Sequence, residues 1–514
     1  METDKITSSY RKSIGETQTV VDVTLQKQEG GDIGKVLVSS AEPYVDEIEV
    51  LNGEATYSGN VLFKLVYVDS EGQNHTASQN VDFSGKVEND ALNPLMKPIY
   101  NVEIVEVNVS DLQPETAKLS ATIAVKLDVI ATDEVQEIKP TDSTIQIDKE
   151  LERYYSVVSS GTKTVTVSDQ FETKADVQSV MLSMGNANFK MAVAGTGYFA
   201  VDGDVFVNSL LEVQTDEGKQ FKNFMETLPF KEELEDENIQ RDDTIVAFAF
   251  LRPQDLTVEL KTPSQNQDGI TQNQTISVSA IVTIKYIALR QTESDVITDA
   301  FSMTNKTNLI TESFMTAKNL KNEQFKSTIE GQTTIDDAEP RIAKVCAITN
   351  EQISIASTKV DAGKLYVEGV ATATAICLTD DDVQVTNSID LEVPFSNKFE
   401  LNDDFDGNLF ATAQIVDVDA RARKGKEVTA NFDVCFSVAS YSVGTNIVLK
   451  DVELTEPIAQ SEYPLQVYIA PKGSTLWDVS KQLLVSQDTL LKQNPDLVFP
   501  LQEASQIVYF RQRT

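Results

Sequence analysis

Apolar and polar residues alternate along most of this 514-residue chain. Runs such as KLSATIAVKLDVI from Lys118, TISVSAIVTIKYIAL from Thr275 and EVTANFDVCFSVASY from Glu427 carry an apolar residue at every second position. Successive side chains of a strand point to opposite faces, so a period of two predicts half-buried antiparallel strands. Clusters of Asn, Asp and Gly separate the runs and predict turns. One stretch, NLITESFMTAKNLKNEQF from Asn308, suits a short helix instead.

The pattern repeats three times in the first 455 residues. A pair of glycines with five residues between them is followed by an alternating run: GEATYSGNVLFKLVYVD from Gly53, GYFAVDGDVFVNSLLEV from Gly197 and GKLYVEGVATATAICLT from Gly363. The pairs are Gly53 and Gly59, Gly197 and Gly203, Gly363 and Gly369. Each copy then enters an acidic turn (Asp69 to Gly72, Thr215 to Gly218, Thr379 to Asp382) and a second run with an aromatic residue at Phe83, Phe230 or Phe395. Two alternating runs around such a turn predict a hairpin. Glycines inside a strand predict bulges or close backbone approach. Upstream, each copy has an apolar start: DIGKVLV at Asp32, DVQSVML at Asp176 and RIAKVCA at Arg341. A repeat this long is a domain rather than a solenoid turn. The expectation is a mainly β protein of three tandem antiparallel domains, residues 1–150, 151–318 and 319–456, with a small unit at 457–514.

Charge narrows the function. Eighty acids against 43 bases give a net charge of −37 and a pI near 4.3. Such a surface repels nucleic acid and anionic membranes. From residue 460 onward, five bases (Lys472, Lys481, Lys492, Arg511, Arg513) balance five acids (Glu462, Asp478, Asp488, Asp496, Glu503), so the excess lies on the repeats. The N-terminal segment has no apolar stretch, and no run of 18 apolar residues occurs. These predict no secretory signal and no transmembrane segment. Cys346, Cys377 and Cys435 lie in strand-like runs and read as reduced, buried thiols.

No reaction centre is legible. His75, the one histidine, follows a hairpin turn and reads as solvated. GGDIGKV at Gly30 and SGTKT at Ser160 lack the spacing of a phosphate loop. LNDDFDGN at Leu401 places Asp404 and Asp406 before Gly407 but has no glutamate at the offset of a calcium loop, so it reads as a solvated acidic turn. The chain is therefore expected to be non-enzymatic, with no cofactor and no metal.

The tail differs. In LQVYIAPKGSTLWDVSKQLLVSQDTLLKQNPDLVFPLQEASQIVYF, the run from Leu465 alternates and Gly473 turns the chain. Ser474 or Thr475 caps a helix whose buried face is Leu476, Val479 and Leu483. Ser486 opens a second helix, Asn494-Pro495 ends it, and QIVYF at Gln506 closes as a strand. The predicted order is βααβ.

Residues 463–512 resemble a LysM domain, through Gly473, Thr475, Leu476 and Trp477 at its opening, Ser486, Leu490 and Asn494-Pro495 in its second helix, and Leu501 and Ile507 near its close. The resemblance implies a groove for N-acetylglucosamine-containing glycans such as peptidoglycan, formed by Gly473, Ser474, Thr475 and Leu476 on one wall and Asn494, Pro495, Asp496 and Leu497 on the other. Ser474 stands where the family has an acid, and Ala504 where it has a glycine. Trp477 reads equally as a packing or a contact residue. With the glycine-pair repeats, the whole chain resembles the SPOCS-domain and LysM spore coat morphogenetic proteins of clostridia. That resemblance implies three SPOCS-like domains, a site in the mother-cell cytoplasm at the forespore surface, and a place in the spore coat. It implies a scaffold that docks, through its LysM domain, on the coat-basement ATPase SpoIVA and meets other coat proteins. The docking residues expected are Ile469, Lys472, Leu476, Trp477 and Asp478, with peptidoglycan binding as the alternative.

Overall fold

The structure, a computed structural model, describes residues 2–27, 31–140, 142–216, 218–261, 274–336, 339–381, 385–401, 407–459 and 465–510. Antiparallel strands dominate, and two short helices lie near the C-terminus. The acidic stretch Asp404–Asp406 lies outside the described residues.

Each repeat folds as six strands. The first comprises β1 (Glu2–Gln26), β2 (Lys35–Val50), β3 (Glu54–Val68), β4 (Asn74–Glu88), β5 (Lys97–Leu112) and β6 (Thr116–Lys139). The second comprises β7 (Ile145–Thr173), β8 (Asp176–Ala194), β9 (Tyr198–Thr215), β10 (Gly218–Glu235), β11 (Thr244–Lys261) and β12 (Gln274–Ser302). The third comprises β13 (Asn305–Thr334), β14 (Ile342–Asp361), β15 (Lys364–Thr379), β16 (Thr386–Glu400), β17 (Asn408–Arg423) and β18 (Glu427–Pro457). In every repeat the second, third and fourth strands form one sheet. The first, sixth and fifth form the other, and the β1 and β7 sheets join through a bridge between Ser9 and Tyr155. Each pair of sheets encloses an apolar core filled by the inward residues of the alternating runs.

The glycine pairs now have a physical reason. The first glycine of each, as at Gly53 (φ +82°) and Gly197 (φ +83°), turns the chain in a left-handed conformation. The second lies opposite a bulge in the neighbouring strand, between Val45 and Glu47, Phe189 and Met191, or Ile355 and Ser357. A Cβ at Gly203 would sit 2.6 Å from the Asn188 carbonyl oxygen. On the other side the second glycine pairs with the repeated aromatic: Gly59 with Phe83, Gly203 with Phe230, Gly369 with Phe395. At Gly203 and Gly369 the ring covers the space that a side chain would fill, as aromatics do beside strand glycines.

The expected helix at Asn308 is instead part of β13, which pairs with β18 along nearly its whole length. Its apolar spacing fits both periods, and the ladder of β18 decides between them. His75 is not a solvated turn residue either. Its Nε2 lies 2.8 Å from Asp69 Oδ2, and its ring stacks on Tyr67 at 5.4 Å. Donation from the Gln73 amide, and then from His75, holds the Asp69 carboxyl below its ordinary range. The cysteines are free: Cys377 and Cys435 are buried, Cys346 is half-buried, and burial raises all three thiols.

The three units close into a ring. Lys64 of the first donates to the Ser183 carbonyl of the second at 2.6 Å, and Asn208 of the second donates to the Ile348 carbonyl of the third at 2.9 Å. Lys35 of the first meets Asn387 of the third at 2.7 Å, which completes the circuit. Val66, Leu210 and Ile376 occupy the same place in β3, β9 and β15, seven residues after the second glycine, and share one buried cluster. At the far end Ile6, Val135, Tyr154, Val296, Phe314 and Val448, one from each long strand, form another. Equivalent positions meeting at a common axis are the mark of a head-to-tail ring with three-fold character, here within one chain. The expected boundaries at 150 and 318 fall inside β7 and β13, whose far ends extend into this shared stalk.

One ring contact carries a pH dependence. Glu351 of β14 is buried against Asn208, whose amide donates to it. Burial pushes its carboxyl up from 4.5 to about 7, and Asp417 adds in the same direction. The folded state therefore binds a proton that the unfolded chain releases above 4.5, so stability falls as pH rises through about 7. Glu351→Gln is expected to raise the thermal midpoint at pH 8 and to change it much less at pH 5.5. Calorimetry at both pH values checks this; equal shifts at both would exclude the buried carboxyl as the cause.

The tail folds as β19 (Leu465–Ala470), α1 (Leu476–Leu483), α2 (Gln487–Gln493) and β20 (Ser505–Phe510). Its buried core comes from its own residues, among them Ala470, Val479, Leu483, Leu490 and Ile507.

Candidate docking site

Thr475 is the cap of α1, and its hydroxyl accepts from the Asp478 amide at 3.1 Å. The Asp478 carboxylate accepts in return from the Thr475 amide at 2.9 Å, closing a capping box. That donation holds the Asp478 carboxyl below its ordinary range. Asp478, expected at a docking surface, is thus engaged in starting the helix. Ser486 caps α2, and Asn494 ends it.

The first expected wall of the glycan groove is tied to Leu501, beyond the second expected wall in the α2–β20 loop. The Gly473 amide donates to the Leu501 carbonyl at 2.7 Å, and the Leu501 amide donates to the Ser474 carbonyl at 3.0 Å. Asn494 is consumed internally: its side chain donates to Leu490 and Val508 carbonyls and accepts from the Val508 amide at 2.9 Å. Leu476 and Leu497 pack against the tail core, while Pro495 and Asp496 are exposed.

Trp477 resolves as a packing residue. It is 8% exposed, its Nε1 donates to Asp299 Oδ2 at 2.9 Å, and its ring lies 5.2 Å from that of Phe301. Lys481, one helical turn further, reaches both Asp299 oxygens at 2.7 and 2.6 Å. The tail is therefore fastened to the end of β12, a contact that sequence reasoning missed. The i and i+4 spacing of Trp477 and Lys481 places them on one helix face, but nothing in the sequence names Asp299 as their partner.

The open surface is elsewhere. Leu465, Val467 and Ile469 alternate outward along β19 at 50, 55 and 70% exposure. Phe510 lies opposite Leu465, and Val508 opposite Val467. Exposed Lys472 follows the end of this strand. Of the five docking residues expected, Ile469, Lys472 and Asp478 are thus exposed, Asp478 with its carboxylate also holding the capping box, Leu476 is half-buried, and Trp477 is buried against β12. The missed members, Leu465, Val467 and Phe510, carry an outward alternation that was legible in LQVYIA and QIVYF.

A second concave region lies among the three units. It is a cavity of about 480 Å³ lined by residues such as Tyr44, Tyr100, Phe189, Phe250 and Phe410. Glu103 on its wall is pushed up by burial and pairs with Lys126 at 3.4 Å. Among the described residues, no group of three or more His, Cys, Asp or Glu side chains could hold a metal ion. No helix among them is long and apolar enough to cross a membrane.

Residues 32–111, from just before β2 almost to the end of β5, match the family model described as SipL, SPOCS domain. That family is one of structural spore-coat proteins rather than of catalysts. No curated protein and no solved structure matches the chain.

Proposed function

We propose that the chain is a non-enzymatic scaffold of spore coat assembly, a three-unit acidic body carrying one LysM-type tail that docks on the coat-basement ATPase SpoIVA at the forespore surface. The likeness of the first unit to the SPOCS domain supports the coat setting. The observation that carries the docking reading is the outward face of the tail hairpin. Leu465, Val467, Ile469 and Phe510 put four large apolar side chains on one surface of a fifty-residue unit. A contiguous exposed apolar patch on a small soluble unit marks an interaction site. The tail has no charge excess, unlike the repeats, which suits it to close approach by a partner that the acidic body would repel or attract non-specifically.

Glycan binding finds less support. Asn494 is committed to holding α2 against β20, and Ser474 stands in place of the usual acid. Ile469→Glu in the full chain is expected to weaken capture by the immobilised ATPase at least tenfold, about 1.4 kcal/mol or more, and to leave the thermal midpoint nearly unchanged. The same proteins are offered purified peptidoglycan sacculi. Capture by sacculi alone, insensitive to Ile469→Glu, would overturn the docking reading in favour of a cortex binder.

A further inference from the structure

The tail holds a piece of its own chain as a ligand is held. Asp299 and Phe301 are two residues apart on β12, so their side chains leave the same face of an extended strand. Trp477 and Lys481 are four apart on α1 and share a helix face. The carboxylate takes one bond from the indole N–H and two from the ammonium, while the indole ring lies against the phenylalanine. A charge-assisted clamp beside an aromatic contact is a recognition geometry of defined chemistry.

Three features make this contact exchangeable. The tail has a core of its own that does not include Trp477, so of its buried apolar residues Trp477 alone relies on β12. The groups that fasten it are few. The surroundings are also acidic: Asp148 of β7 is raised by burial, with Asp299 and Asp478 pushing it further, and Lys481 is the cation that faces Asp299.

We infer that the Trp477–Lys481 face of the tail is a receptor for an extended acidic–aromatic strand, with a carboxylate two residues before a phenylalanine, and that Asp299 and Phe301 occupy it in cis. A partner offering the same pair on an extended segment competes with β12 for this face. Occupation in cis makes the contact a gate, because the incoming strand must first displace the resident one. This deepens the docking reading and rests on it for the biological partner, but the receptor itself is tested without one.

Trp477 is the sole tryptophan, so its emission reports the clamp directly. In the full-length protein, Asp299→Ala and Lys481→Ala are each expected to move the emission to the red and to raise acrylamide quenching severalfold. Lys481→Ala leaves β12 intact, so agreement between the two variants separates release from damage to that strand. A synthetic peptide of residues Asp295–Met303 is then added. It is expected to return the emission of the Asp299→Ala chain to the blue and, carrying a fluorescein label read by anisotropy, to bind the wild-type chain at least about tenfold more weakly because its site is already filled. The same peptide with alanine for Asp299 and Phe301 is expected to have no effect. Unchanged emission in both variants, or an equal response to the two peptides, overturns the inference. Neither readout involves the ATPase. Failure of the wild-type chain to be captured by the ATPase, with a normal clamp, therefore counts against the docking reading alone, and a silent clamp counts against this inference alone.

Discussion

Asp128→Ala is expected to cost about 3–5 kcal/mol, the penalty of leaving a buried cation without its partner. Arg11 and Asp128 are 2% and 3% exposed, and Arg11 Nε donates to Asp128 Oδ2 at 2.8 Å. The Tyr441 hydroxyl donates to the same oxygen at 3.1 Å. Burial first, and then Asp128, pushes that phenol well above its ordinary range. The guanidinium lies 4.5 Å from the Phe410 ring and 5.0 Å from the Tyr441 ring, while its Nη1 and Nη2 have no hydrogen-bond partner. Phe410 and Tyr441 belong to the third unit, Arg11 and Asp128 to the first, so this pair sits where the ring closes. Removing the carboxylate strands the charge and loosens the closure together. Arg11→Met, which removes the cation and keeps an apolar chain, is expected to cost far less, because a buried pair is often matched by apolar groups of similar volume. Urea unfolding followed by fluorescence and by circular dichroism measures both. Equal losses in the two variants would show that the junction depends on packing and not on the ion pair.

Gly203→Val should be the most damaging change in the second repeat, at about 3 kcal/mol. Its side chain would enter the carbonyl of Asn188 on one flank and the Phe230 ring on the other, and the Asn188 side is backbone that cannot rotate away. For a domain of this size, that loss lowers the thermal midpoint by roughly 6–12 °C. Gly197→Ala, six residues earlier, provides the contrast. A methyl group there meets open space, and only the left-handed backbone opposes it, at about 1 kcal/mol. A scanning calorimeter distinguishes the two. If Gly197→Ala proves the worse of the pair, close packing at the second glycine is not what the repeat preserves.

Much of this architecture was written in the alternation. The hairpins around the acidic turns, the close approach at the second glycines, and all four elements of the tail follow from residue period and capping chemistry. Ring closure does not follow so easily, because residues that face a neighbouring unit look like ordinary strand residues. A trace existed: Leu65-Val66-Tyr67 and Ala375-Ile376-Cys377 break the alternation with consecutive apolar residues, as strands buried on both faces do. The opening strands were the hardest to see. Much of β1 reads TSSYRKSIGETQ, polar on both faces to the eye, yet Ser8, Ser9 and Arg11 are all buried at the stalk. Polar residues buried among the partners of other strands leave no mark in a hydropathy pattern. For the same reason Trp477 could be seen as special from its rarity alone, whereas its partner was one aspartate among many.

The fusion of three units into one polypeptide also sets a stoichiometry. Three separate chains closing the same ring would carry three tails and present three identical flanks. Here one tail serves three units, and the contacts between those units have diverged: the interfacial donor is Lys64 in the first unit, Asn208 in the second, and Thr374 stands at the same place in the third. Under the docking reading such a particle is monovalent for whatever the tail grips, and the seams between its units are chemically unlike. In the proposed docking role it would mark an anchoring point once, without the avidity that three equal grips would impose.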